Sequence, residues 1–292
     1  MNERSYCMKR IFRIAGILLI LAFLAPVSAS AQAKINTKKV KIADLATRTT
    51  KVVTGSGGIV DSALRDEVSA RWRISPYEFC TVEEYNSLKD NPDYYFLLIA
   101  RSDEKKYRGM LTLTLMKGGK AKAEDPQKRP VDVASLPLCS SEFPSGREVI
   151  FLPAMLDILQ DYVSRAMRSD GAGYAGLDIY ARQVRKTGIK RIFFSEDDLV
   201  PDMGEDFKLK YFDEDMVIMD ESEADKAFQD ATYNTLCSFV VAPFDPQNGS
   251  WCYKMLIDAD THELMYFRHH RINAKNWAGF LPKDIKAIYA RR

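Results

Sequence analysis

His262, His269 and His270 lie close together near the carboxyl end, and Asp258 and Asp260 precede the first of them on an expected turn. Imidazole and carboxylate at such spacing are the donors that hold a divalent cation. Zinc requires three or four ligands, and neighbouring strand residues face opposite ways, so His269 and His270 cannot chelate one ion together. The pattern reads as a polar hairpin tip, and no metal site is expected. The acids between Glu196 and Asp225, with only Lys208 and Lys210 against them, lack the D-x-D-x-D-G spacing of a calcium loop. Several fall at expected helix starts, where carboxylates complement the dipole, so they read as solvated helix faces able to steer a basic partner.

Thr54-Gly55-Ser56-Gly57-Gly58 joins an expected strand to a helix start, where free backbone N–H groups favour anions. The Gly-Lys-Ser/Thr that completes a phosphate loop is missing, and the corresponding Ser195-Glu196-Asp197-Asp198 of the second half would repel phosphate. A flexible turn is the better account. No G-x-S-x-G elbow supports a nucleophilic serine. Paired carboxylates for glycoside hydrolysis would show their spacing only in three dimensions. No catalytic residue and no cofactor is assigned.

Aromatic residues gather around Trp72, Tyr77 and Phe79, and again in the terminal hairpin. Trp251, Tyr253, Met255 and Ile257 alternate onto one sheet face, which is the pattern of a core. The functional alternative is an exposed groove for peptide or glycan. On that reading Trp251, Tyr253, Tyr266, Phe267 and His269 are the candidate binding residues.

The elements that would carry these residues come in two similar sets. In the first, Lys51 to Thr54 is a strand and Asp61 to Arg73 a helix with Asp61 as its cap and Leu64, Val68 and Trp72 on one stripe. Tyr77 to Cys80 is a strand, Thr81-x-x-Glu84 a capping box, and Tyr94 to Ala100 and Met110 to Met116 two further strands. About 139 residues on, Arg191 to Phe194, Asp202 to Phe212, Met216 to Met219, Asp220-x-x-Glu223, Leu236 to Ala242 and Trp251 to Asp258 repeat that order. Phe151-Leu152-Pro153 and Phe280-Leu281-Pro282 align at an offset of 129, so the polar stretch Lys117 to Arg129 accounts for the extra residues of the first copy. In both triplets proline is expected in the first helical turn. The expected fold is α/β (α+β): two related strand-helix-strand-helix-strand-strand modules with mixed sheets, each ending in a helix. Asp170 to Gly173 should break the helix begun at Pro153, and Leu177 to Val184 should form a short connecting helix.

At the amino end, Arg4, Lys9, Arg10 and Arg13 precede an apolar run, Ile14 to Leu24, too short to span a bilayer, and Ala29-Ser30-Ala31 follows as a cleavage site. The expected organisation is a signal peptide at 1–31, a basic tail at 32–46 bearing Lys34, Lys38, Lys39 and Lys41, module 1 at 47–170, a connector at 171–187 and module 2 at 188–292. That implies a periplasmic or secreted protein with no stable membrane insertion after cleavage. A formal charge of +2 gives no case for nucleic acid. Cys80, Cys139, Cys237 and Cys252 lie in apolar runs without C-x-x-C spacing and read as reduced core residues, although export permits disulfides.

The order of elements with the export signal resembles the N-terminal α/β domain of TolB and related envelope proteins. YEFCTVEEY (Tyr77 to Tyr85) and CYKMLIDADTHELMYF (Cys252 to Phe267) resemble uncharacterised exported proteins of Bacteroidales. These resemblances imply a periplasmic interaction module. The expected function is a non-enzymatic binding or assembly protein of the cell envelope, using a sheet edge or the terminal aromatic hairpin to hold an envelope protein or peptide. The alternative is a hydrolase of envelope glycan or peptide acting through unassigned carboxylates. A structural subunit would instead self-associate as a homo-oligomer, which light scattering detects.

Overall fold

The computed structural model describes residues 42–291 apart from 56, 103–104, 126–127, 182 and 187–190. The expected signal peptide, the four lysines of the expected basic tail and the boundary between connector and module 2 at 187–188 lie outside the described residues. Module 1 runs β1 (Thr49–Val53), α1 (Ile59–Arg71), β2 (Tyr77–Cys80), α2 (Val82–Leu88), β3 (Tyr94–Arg101), β4 (Met110–Lys117), β5 (Val131–Ser140) and α3 (Arg147–Arg168). The connector holds α4 (Asp170–Ala175) and two 3₁₀ turns, Gly176–Tyr180 and Gln183–Lys186. Module 2 runs β6 (Arg191–Ser195), α5 (Glu205–Tyr211), β7 (Met216–Met219), α6 (Glu221–Gln229), β8 (Thr235–Val241), β9 (Trp251–Asp258), β10 (Leu264–Arg271) and α7 (Pro282–Tyr289).

The two sheets have the same topology, β2-β1-β3-β4-β5 and β7-β6-β8-β9-β10, each mixed and five-stranded. Their rows also coincide. Thr50 sits between Tyr77 and Tyr95, and Tyr95 faces Lys117. Ile192 sits between Met216 and Leu236, and Leu236 faces Asp258. Equivalent residues are thus 139 to 142 positions apart, and the second arm of each terminal hairpin adds a fifth strand.

Several local expectations meet a different outcome. Helix α3 begins at Arg147, so Pro153 lies inside it, whereas Pro282 does open α7. The apolar face before Pro153 holds the helix together despite the bond that proline removes from its second turn. Asp61 is a first-turn acid, with Gly58 at the cap. Asp220 caps α6 through Ser222, without the return bond from Glu223, so only Thr81–Glu84 closes a full box with its side chain. Helix α3 does end just before Asp170 to Gly173, at Arg168, and beyond the extended Ser169 that stretch forms the separate short helix α4, capped by Ser169.

Packing explains how the modules meet. Helix α3 is buried over most of its surface, with a polar stripe through Asp157, Asp161 and Arg165 left at the margin. It lies with α1 against one face of the first sheet and with α6 against one face of the second, in a single core that crosses both modules. Phe151 stacks on Phe228 at 4.2 Å and on Phe239 at 4.3 Å. The outer face of the second sheet is covered by α5 and α7, and that of the first by α2 around Tyr85. The layers therefore run α2, first sheet, α1/α3/α6, second sheet, α5/α7. No helix among the described residues is long and apolar enough to cross a membrane.

Candidate functional site

Helix α3, the connector and the β9–β10 turn enclose a cleft of about 500 Å³ at the junction of the modules. The β9–β10 turn folds on itself first. Asp258 Oδ1 accepts the N–H groups of Asp260 and Thr261, both at 2.9 Å, and the Asp258 carbonyl accepts His262 N–H at 2.9 Å. Along α3, Asp161 accepts Arg165 Nε at 2.8 Å and the hydroxyl of Tyr180 from the connector. Arg165 also lies over the Tyr180 ring at 5.3 Å. Burial, reinforced by the bond to Asp161, pushes the Tyr180 hydroxyl pKa upward, so it remains a donor. Leu264 and Met265 supply an apolar lining, and Tyr233, 78 % exposed, flanks the cleft beside Asn234. Asp161, Asp258, Asp260 and Glu263 face one guanidinium, Arg165, leaving the cleft strongly negative.

The chain matches no family model, no curated protein and no solved structure. Residue roles therefore rest on the geometry of this chain.

The structure divides the sequence-selected residues. Trp251, Tyr253, Phe267 and His269 share one face of β9–β10, with Tyr253 paired to His269 and Met255 to Phe267. Tyr253 stacks on Tyr107 of module 1 at 5.4 Å, and its hydroxyl donates to the Lys106 carbonyl at 2.9 Å. Tyr253 and Phe267 are buried in the shared core, so this face is the seam between modules and does not form an open groove. At the corresponding rows of the first sheet stand Thr112 and Thr114, whose hydroxyls bond each other at 3.0 Å. The rings occur in module 2 because that face packs on module 1. Trp251 and His269 are half-buried at the margin, where burial lowers the His269 pKa and favours neutral imidazole. Tyr266 points to the opposite face and donates to Asp284 at 3.1 Å.

The remaining chemical candidates also resolve. A Cβ built on Gly55 would lie 2.8 Å from an Asp61 carboxylate oxygen, so an acid stands over the glycine turn where phosphate would enter. The acids of 196–225 are not all solvated, a correction caused by Arg147. That buried guanidinium reaches from α3 into module 2, binding Asp225 at 2.9 Å and Asp198 at 3.0 Å, with Glu221 at 3.4 Å. His262 is occupied by Asp157, and His270 Nε2 lies 2.9 Å from the Trp277 carbonyl. The four cysteines are buried free thiols. Of the outer sheet edges, β7 is closed at Met216, whose N–H donates to Asp213 Oδ1 and whose carbonyl accepts Asp213 N–H, both at 3.0 Å. Edge β2 has only four residues, a length that disfavours strand addition.

Asp258 and Asp260 were visible in the sequence as possible cation ligands. Asp161, Arg165, Tyr180, Tyr233 and Glu263 were not. The one local signal was the Asp161–Arg165 spacing, an i,i+4 ion pair that also occurs on ordinary solvated helices.

Proposed function

We propose that this protein is an exported, non-enzymatic binding or assembly protein of the cell envelope, and that its inter-module cleft receives a cationic segment of a protein or peptide partner. The observation that carries this reading is the cleft's composition: four carboxylates against one guanidinium, beside an exposed tyrosine ring. Such a site suits a lysine or arginine side chain, which gains charge complementarity from the acids and cation–π contact from tyrosine. Both modules and the connector contribute, and a junction of that kind is a common place for a ligand site. The export element rests on the basic leader, apolar run and small-residue cleavage site of residues 4–31.

A glycan or peptide hydrolase is less favoured. Paired-carboxylate hydrolysis uses one group as acid and the other as base or nucleophile across the scissile bond. Here Asp161 is committed to Tyr180 and Arg165, and Asp258 to two backbone N–H groups of its own turn. Titration calorimetry of the mature chain with tri-lysine and with tri-alanine peptides tests the proposal. Binding of tri-lysine should weaken about ten-fold in Asp260→Asn/Glu263→Gln and fall with added salt. Equal affinity for the two peptides, or no tri-lysine binding, would refute it.

A further inference from the structure

We infer that His262 is the positioning residue of the cleft, holding the turn that carries Asp258, Asp260 and Glu263 against helix α3 of module 1. The inference rests on the reading of the cleft as the ligand site. His262 has φ +60°, a left-handed conformation that glycine adopts freely and that asparagine, aspartate and histidine adopt more often than other side chains. Turn geometry alone therefore does not select histidine over glycine or asparagine. Its contacts do. Nδ1 lies 2.8 Å from Asp157 Oδ2, and the ring stacks on Phe228 of α6 at 5.6 Å between centroids. Asp157 Oδ2 also accepts Arg71 Nη1 at 3.1 Å, and Arg71 in turn binds Glu67 on α1. A chain of polar contacts thus runs from α1 through α3 to the tip of β9–β10.

The placement links this chain to the cleft. Asp157, Asp161 and Arg165 are spaced four apart on α3, so they form one stripe on the helix surface. The first anchors the turn, and the next two line the cleft that the turn helps to close. Release of His262 should free the turn from the helix and spread the carboxylates without removing any of them.

The test uses the full mature chain with His262→Asn and Asp157→Asn variants. Asparagine tolerates the left-handed turn, so His262→Asn separates the lost tether from backbone strain. The amides of Asp260, Thr261 and His262 should exchange hydrogen about ten-fold faster in either variant, while core amides keep their protection. Tri-lysine affinity should fall about five-fold or more with the unfolding midpoint little changed. Unaltered exchange at those amides together with unaltered affinity in His262→Asn would overturn the positioning role. If the parent protein binds no tri-lysine, the ligand site is wrong, and the positioning role falls with it. Exchange alone would then show whether the tether to α3 exists.

Discussion

Replacing Arg147 by methionine should be one of the most damaging single substitutions in the protein. Its guanidinium donates to both carboxylate oxygens of Asp225 at 2.9 and 3.1 Å, to those of Asp198 at 3.0 and 3.4 Å, and to the Ser238 carbonyl at 3.1 Å. The side chains of Asp198 and Asp225 are only 3 % and 8 % exposed, so the substitution strands two carboxylates away from water. Removing one partner of such a buried set costs about 3–5 kcal/mol, a large share of the roughly 5–15 kcal/mol that holds a domain folded. With a urea dependence of about 3 kcal/mol/M, the unfolding midpoint should drop by about 1–1.7 M. The pH dependence gives a second signature. Burial raises the Glu221 and Asp225 carboxyls above the usual carboxylate range, and Arg147 opposes that rise. The folded state therefore takes up these protons more readily than the unfolded state, and the two groups' contribution to stability falls as pH rises through that window. Without Arg147 the effect grows, so the variant's deficit should be largest near neutral pH and shrink toward pH values of about 5. Urea titrations at both pH values read this directly. A midpoint shift under about 0.3 M, or a deficit that grows on acidification, would refute the reasoning.

Thr81→Ala removes half of the capping box on α2 and should cost about 1 kcal/mol in the same titration. Burial pushes the Cys80 and Cys252 thiols up to about 11 and those of Cys139 and Cys237 to about 12, so none should react with a disulfide-exchange reagent at pH values near 8 until the chain is unfolded, when all four should react. Burial also pushes the Asp132 carboxyl up to about 6, above its unfolded value, so its ionisation costs stability as pH rises toward 6 and beyond. Asp132→Asn should therefore raise the thermal midpoint by a few degrees near neutral pH and lose that advantage near pH values of about 4, with a pH-independent difference counting against the assignment.

The repeated order of elements was legible because each strand and helix carries its own period. Tyr77–Cys80, Met216–Met219 and Trp251–Asp258 have the bounds that their alternation and flanking turns imply. The start of α3 was not legible, since Pro153 suggested a first turn and the true start follows Gly146, whose φ is +96°. The aromatic stripe Trp251, Tyr253 and Phe267 was legible as one face but not as a seam, because its cover comes from Tyr107 and the connector, far away in the chain. The same limit hid the cleft. Its lining spans Asp161 to Met265, and no local periodicity connects a helix stripe to a distant turn. Arg147 was hidden likewise, since its partners lie 51 and 78 residues away.

Amide chemical-shift mapping of the labelled mature chain during titration with tri-lysine tests the central claim most directly. Saturable shifts should concentrate at 161–165, 233–234 and 258–265, the segments that line the cleft. Shifts confined to the β2 edge or to the Trp251–His269 face, or no saturable shifts at all, would contradict it.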